Sequence, residues 1–313
     1  MTESTVEADE PTRFRLDVAY QGTDFAGWSR QPGQRTVQGV LEEAVSTSFG
    51  GLIGRPGLVV AGRTDAGVHA VGQVVHLDLS PDALRRLSRQ RGSRSDPGGA
   101  LSRRVNGVLG PYSDVAITRA TIAPDGFHAR FGALWRRYEY RVADLVAGRN
   151  PLHRAHTAWL PTELDLDAMN EAAAALLGLH DFGSYCKPRE GATTIRTLLD
   201  FSWRRDEDRV LRADVRADAF CHSMVRALVG ATVAVGGGRL SIAEVVSLRD
   251  GATRDDAYAV MPARGLTFVE VAYPPDAQLA ERAALTRARR SLPGRSADGE
   301  SEVGEPEDGE SEE

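Results

Sequence analysis

Lysine is almost missing from this 313-residue chain. Lys187 is the only one, so arginine supplies the rest of the 38 lysine and arginine residues. Arginine's planar fork binds two phosphate oxygens at once, which leaves phosphate recognition open; a compositional bias of the genome accounts for the same ratio more simply. Cysteine is scarce too. Cys186 and Cys221 are the two present, without metal-site spacing, which excludes a disulfide-dense scaffold. Two cytosolic thiols are the simpler expectation and one disulfide the alternative. No apolar run is long enough to cross a bilayer, and the acidic opening MTESTVEADEPTR is not a signal peptide. A soluble cytoplasmic protein is therefore expected.

Basic charge looks scarce only in sum. The net charge is -6, but residues 293–313 carry -8 and residues 1–12 carry -4, leaving +6 on residues 13–292. A basic body permits a nucleic-acid partner without requiring one. Both ends are rich in Glu, Ser, Gly and Pro and are predicted to be disordered. SRQRGSRSDPGG (residues 88–99) is predicted to be a mobile, basic surface insertion.

Hydrophobic periodicity predicts two βαββ-like halves. In the first, residues 14–20 form a strand and Thr36 caps a helix with Val37, Val40, Leu41, Ala44 and Val45 on one face. Strands follow at residues 58–61 and 74–79. In the second half, Arg137, Glu139 and Arg141 alternate with Tyr138, Tyr140 and Val142. A helix over residues 166–177 stops at Gly178. A hairpin with a charged turn over residues 204–209, a helix over residues 222–235 and a last strand over residues 266–271 complete the plan. These elements predict an α+β fold of ferredoxin/RRM-like halves, residues 13–125 and 126–275, with mixed or antiparallel sheets, flanking helices and an active cleft between the halves. Residues 276–313 form a C-terminal extension.

Three stretches carry candidate chemistry. GRTDAGVHA (residues 62–70) places Arg63, Thr64, Asp65 and His69 on a glycine-bounded turn. Asp65 is either a lone catalytic carboxylate, a metal ligand with His69 and His76, or a turn former bonding its own backbone. FHARFGALWRRYEYRV (residues 127–142) interleaves Arg130, Arg136, Arg137 and Arg141 with aromatics, as an RNA surface stacking bases and binding phosphates does, and as an ordinary half-buried strand does too. AFCHSMVRALVGATVAVGGG (residues 219–238) is an apolar helix whose one positive residue, Arg226, calls for an anionic partner or snorkels to water. His222 stands at the helix start.

Together these stretches resemble the tRNA pseudouridine synthase A family. The resemblance rests on VAYQGTDFAGWSRQ with TVQGVLE, AGRTDAGVHAVGQVVH, DGFHARF, RRYEY, GLHDFGSY, AFCHSMVRALVG and ARGLTFVEVAYP, in family order over residues 14–274. Ser29 stands where members usually carry glutamine, and Trp135 replaces a smaller residue. The resemblance implies isomerisation of uridine to pseudouridine at positions 38, 39 and 40 of the tRNA anticodon stem-loop, by a homodimer using no cofactor or metal. It assigns catalysis to Asp65, the active-site tyrosine to Tyr138 and the basic residue paired with the aspartate to Arg226. Arg63 is expected beside Tyr138 and Arg226 at the substrate, nearer its phosphate or a flipped base, and Thr64, His69, Arg130 and His222 are expected in support. The rival expectations are an RNA-binding protein without catalysis and a metal-dependent hydrolase built on Asp65, His69 and His76.

Overall fold

The computed structural model describes residues 10–88, 96–187, 193–251 and 257–286. The first half contains β1 (Thr12–Tyr20), α1 (Val37–Ser48), β2 (Val59–Val60), β3 (His69–Leu79), α2 (Pro81–Ser88), α3 (Pro97–Leu109) and β4 (Val115–Ile122). The second contains β5 (Trp135–Ala143), β6 (Ala158–Trp159), α4 (Leu166–Ala175), β7 (Gly178–Asp181), β8 (Ile195–Arg205), β9 (Leu211–Ala217), α5 (Met224–Gly236), α6 (Ile242–Gly251), β10 (Leu266–Ala272) and α7 (Leu279–Thr286). No described helix is long and apolar enough to cross a membrane.

Local chemistry accounts for most of these elements. Thr36 caps α1, its hydroxyl accepting the Gly39 amide at 3.2 Å, and the helix buries Val37, Leu41, Ala44 and Val45. Asp165 caps α4 by accepting the amides of Asp167 and Ala168. The β5 pattern has a physical counterpart: Tyr138, Tyr140 and Val142 are buried. On the other face Arg137, Glu139 and Arg141 enter an ion-pair network with Arg212, Asp214 and Glu270 from the neighbouring strands and with Asp206 from the turn between β8 and β9.

The strands run in the order β4-β1-β3-β10-β5-β9-β8-β7, with β2 added to β3 and β6 to β5. Pairing is antiparallel except for β10 on β3 and β6 on β5. The two halves thus share one mixed sheet, whereas residues 266–271 were expected to close the second half alone. β10 instead lies between β3 and β5 and covers edges that each half would otherwise leave unpaired. Its close seat on β3 depends on Gly72, because a Cβ there would run into the Val269 carbonyl.

The stretch predicted as a mobile insertion divides. Residues 89–95 lie outside the described residues, but Pro97–Leu109 is α3, with Pro97 in its first turn and the Asp96 carboxylate accepting the Gly99 amide at 2.7 Å. The acidic ends predicted to be disordered fall largely outside the described residues as well; Thr12 already belongs to β1.

Candidate active site

The turn from Gly62 to Val68 joins β2 to β3 and is anchored from outside and below. The Trp28 amide donates to the Thr64 carbonyl at 3.0 Å and the Gly67 amide to the Phe25 carbonyl at 3.2 Å. Gly27 makes the first contact feasible: its φ is +94°, and an added Cβ would lie 2.9 Å from the Thr64 carbonyl oxygen. Beneath the turn, the Gln73 side-chain amide donates to the Gly62 carbonyl at 2.8 Å and to the Tyr20 hydroxyl at 3.2 Å. The Tyr20 and Thr64 hydroxyls share a hydrogen bond at 2.8 Å. Burial pushes the Tyr20 phenol up to about 12, so it stays a neutral donor.

This mount holds the Asp65 carboxylate away from its own turn. Among the described residues, its hydrogen-bond donor is the Ser223 hydroxyl, 3.3 Å from Oδ2. Arg226 Nη1 lies 3.7 Å from the same oxygen, and His222 Nε2 lies 3.5 Å from Oδ1. All three groups come from the start of α5, where the helix's partial positive charge also favours an anion. Arg226 is itself fixed by donating from Nε to the Met261 carbonyl at 2.6 Å. Asp65 therefore faces a partner assembled 158 residues away in sequence.

Asp65 opens onto a cavity of about 860 Å³ between the two halves, a size suited to a nucleotide-scale ligand. Arg63, Arg130, Arg136, Arg196 and Arg226 line it, and among the described residues Asp65 is its one carboxylate. Arg63 and Arg130 are exposed at its margin. A cavity so charged attracts a polyanion. Tyr138 forms part of the wall, with its ring edge-to-face on Phe220 at 5.0 Å and Phe268 at 4.8 Å. Burial raises the Tyr138 phenol far above its ordinary range. Tyr140, two residues on, is fully buried and donates to the Pro262 carbonyl at 2.7 Å.

Several groups take structural places. His69 accepts the Gly22 amide on Nδ1 at 3.0 Å, which leaves Nε2 to donate to the Arg264 carbonyl at 3.2 Å. His76 accepts the Ala129 amide on Nδ1 at 3.0 Å. Burial lowers both imidazoles, His76 to about 4. These engagements hold the turn and the neighbouring segment and leave neither ring aimed with Asp65 at a common point. Cys186 and Cys221, expected as thiols, are joined as a disulfide with their Cα atoms 5.9 Å apart. The bond ties Cys221, just before His222, to Cys186, whose neighbour Lys187 also donates its amide to the His222 carbonyl at 3.0 Å.

Sequence reasoning passed over Tyr20, Gln73 and Ser223. Tyr20 and Gln73 stand inside quoted motifs, but their role depends on two strands being adjacent. Arg136 was taken with the surface arginines, yet it is buried and donates to the carbonyls of Asp218, Ala61 and Arg130 at 2.7, 3.0 and 2.7 Å. Its parity was the available signal: it shares a strand face with Tyr138 and Tyr140.

Comparison with known proteins gives the family. A family profile described as tRNA pseudouridine synthase matches residues 172–274, which points to a pseudouridine synthase. The tRNA pseudouridine synthase A of Leifsonia xyli is 64% identical over 91% of this chain and 99% of its own length. The proteins of the same name from Streptomyces griseus and Frankia casuarinae are 53% and 51% identical, over 90% and 91% of this chain and 95% and 98% of theirs. The chain belongs to the tRNA pseudouridine synthase A family.

Proposed function

We propose that the protein isomerises uridine to pseudouridine in tRNA, at positions 38, 39 and 40 of the anticodon stem-loop, with Asp65 as the catalytic group. The observation that carries this reading is one carboxylate, met by groups from the start of α5, in a cavity whose other charged lining among the described residues includes five arginines. The relatives' shared name supports the reaction and the tRNA substrate; the three positions follow from the family resemblance.

The reaction breaks the N1–C1′ bond of uridine, turns the uracil and forms a C5–C1′ bond. C5 loses its proton and N1 ends with one, so atoms balance without an oxidant or reductant. Positive character develops at C1′ as the glycosidic bond opens, and an ionised Asp65 is the group that stabilises it. Uracil leaves as a delocalised anion, so the second carboxyl of a glycosidase is not needed. Arg226, 3.7 Å from Asp65, supplies the counter-charge to the carboxylate. The target nucleotide is extruded from its stack to enter the cavity, where Tyr138 contacts the base and its hydroxyl assists proton removal from C5. Arg63 and Arg130 meet the RNA backbone, which makes binding salt-dependent. The protein acts in the cytoplasm as a homodimer on this reading, by family resemblance.

Position-resolved mapping of pseudouridine in tRNA treated with the wild-type protein and with Asp65→Asn tests the proposal. An RNA-binding protein without catalysis would leave no product with either.

A further inference from the structure

We infer that Ser223 is a positioning residue for Asp65: a left-handed backbone withdraws its hydroxyl from helix capping and turns it onto the carboxylate. The inference rests on the catalytic reading of Asp65 and assigns a role to a residue that the reading does not require.

Ser223 stands at the N-cap of α5. A serine there ordinarily has an extended backbone, and its hydroxyl accepts an amide hydrogen from the helix's first turn. Ser223 does neither. Its φ is 65° and ψ 5°, and its side chain makes no capping bond. Among the described residues only Arg209 shares a positive φ without being glycine. Arg209 lies in an exposed hairpin turn, where such angles are ordinary. Ser223 lies at the site, where nothing about ending a turn demands serine; glycine would adopt the conformation with less strain.

The hydroxyl instead donates to Asp65 Oδ2 at 3.3 Å. The other groups near Asp65 do not replace it. Arg226 is committed through Nε to the Met261 carbonyl and approaches Asp65 only to 3.7 Å, while His222 is 3.5 Å away on Oδ1 with 43% of its side chain exposed. Neither contact is a hydrogen bond that fixes the orientation of the carboxylate. Ser223 supplies the directional bond, and its rotation is limited by the buried helix that follows, whose residues Met224 and Val225 are buried. Backbone strain at an active site, held by surrounding structure, is the expected signature of a group placed for chemistry.

The test compares Ser223→Gly, Ser223→Ala and Ser223→Asn under steady-state and single-turnover conditions on a tRNA transcript, with thermal melting of each variant. Loss of a hydrogen bond to a charged group predicts about a tenfold fall in kcat for the glycine and alanine variants, with KM unchanged. Asparagine tolerates the left-handed region and carries a donor, so it should recover most of kcat. The glycine variant should melt at or above the wild-type temperature while turning over slowly, a split that a purely structural serine would not produce. The inference is overturned by a glycine or alanine variant with kcat within twofold of wild type. A kcat loss in all three variants that merely follows a loss of melting temperature overturns it too. Asp65→Asn in the same assay separates the two failures. If that variant is inactive while Ser223→Gly is fast, only the role of Ser223 falls; if it retains activity, the catalytic reading falls as well.

Discussion

Arg136→Met offers the sharpest test of how the cavity wall is built. The guanidinium is buried with no carboxylate partner among the described residues, and desolvation lowers its proton affinity. Three backbone carbonyls hold it instead. Asp218 precedes the segment leading to α5, Ala61 precedes the Asp65 turn, and Arg130 lies on the cavity margin. One side chain thus joins the two halves of the site. Methionine fills much of the stem's volume but leaves three carbonyls without that donor, at about 1–3 kcal/mol for each one stranded from water. Removing a desolvated cation offsets part of this, and cavity water reaches some of the freed oxygens, so a net loss of about 3 kcal/mol is expected. Arg136→Lys keeps the charge but lacks the planar fork that spans three acceptors, and should fall between. The assay is urea unfolding followed by tryptophan fluorescence and circular dichroism, with the midpoint and slope measured together. Methionine within 0.5 kcal/mol of wild type at unchanged slope would refute the idea that this arginine fastens the wall.

Two further outcomes are expected. Tyr138→Phe should fold as stably as wild type, because no protein hydrogen bond to its hydroxyl is found among the described residues; single-turnover pseudouridine formation should slow by about a hundredfold if the hydroxyl moves the C5 proton. A wild-type rate would reduce Tyr138 to a stacking surface. His76 ties acid sensitivity to the first half. Its folded-state pKa is depressed to about 4, so its contribution to stability is complete above the unfolded value near 6.5 and is lost as pH falls from there towards 4. The expected loss is about 2–3 kcal/mol over that window, measured by urea titration at each pH, and His76→Asn should flatten it. An unchanged slope in that variant would assign the acid response to other groups.

What was legible in the sequence was local. The Thr36 cap, the face of α1 and the alternation along β5 are written in neighbouring residues, and the structure realises each. The start of α3 was equally local but was masked by composition: the aspartate-proline pair is a helix-start signal set among serines and glycines that read as loop. β10 was found as a strand and misplaced in the assembly, because nothing in residues 266–271 says that the strand pairs with β3 nearly 200 positions earlier. The site divides in the same way. Asp65, Arg226, His222 and Tyr138 belong to motifs and have side chains that announce chemistry; Tyr20 and Gln73 lie in motifs too, but their role depends on β1 and β3 being adjacent, and the role of Ser223 lies in a backbone angle that residue type does not encode.

The central claim is tested most directly by mass-spectrometric mapping of pseudouridine in an unmodified tRNA transcript incubated with the purified protein. Wild type should convert uridines at positions 38, 39 or 40 and nowhere else, and Asp65→Asn should bind the transcript yet form no product. Absence of new pseudouridine in the anticodon stem-loop with wild type, or its full formation with Asp65→Asn, would contradict the account.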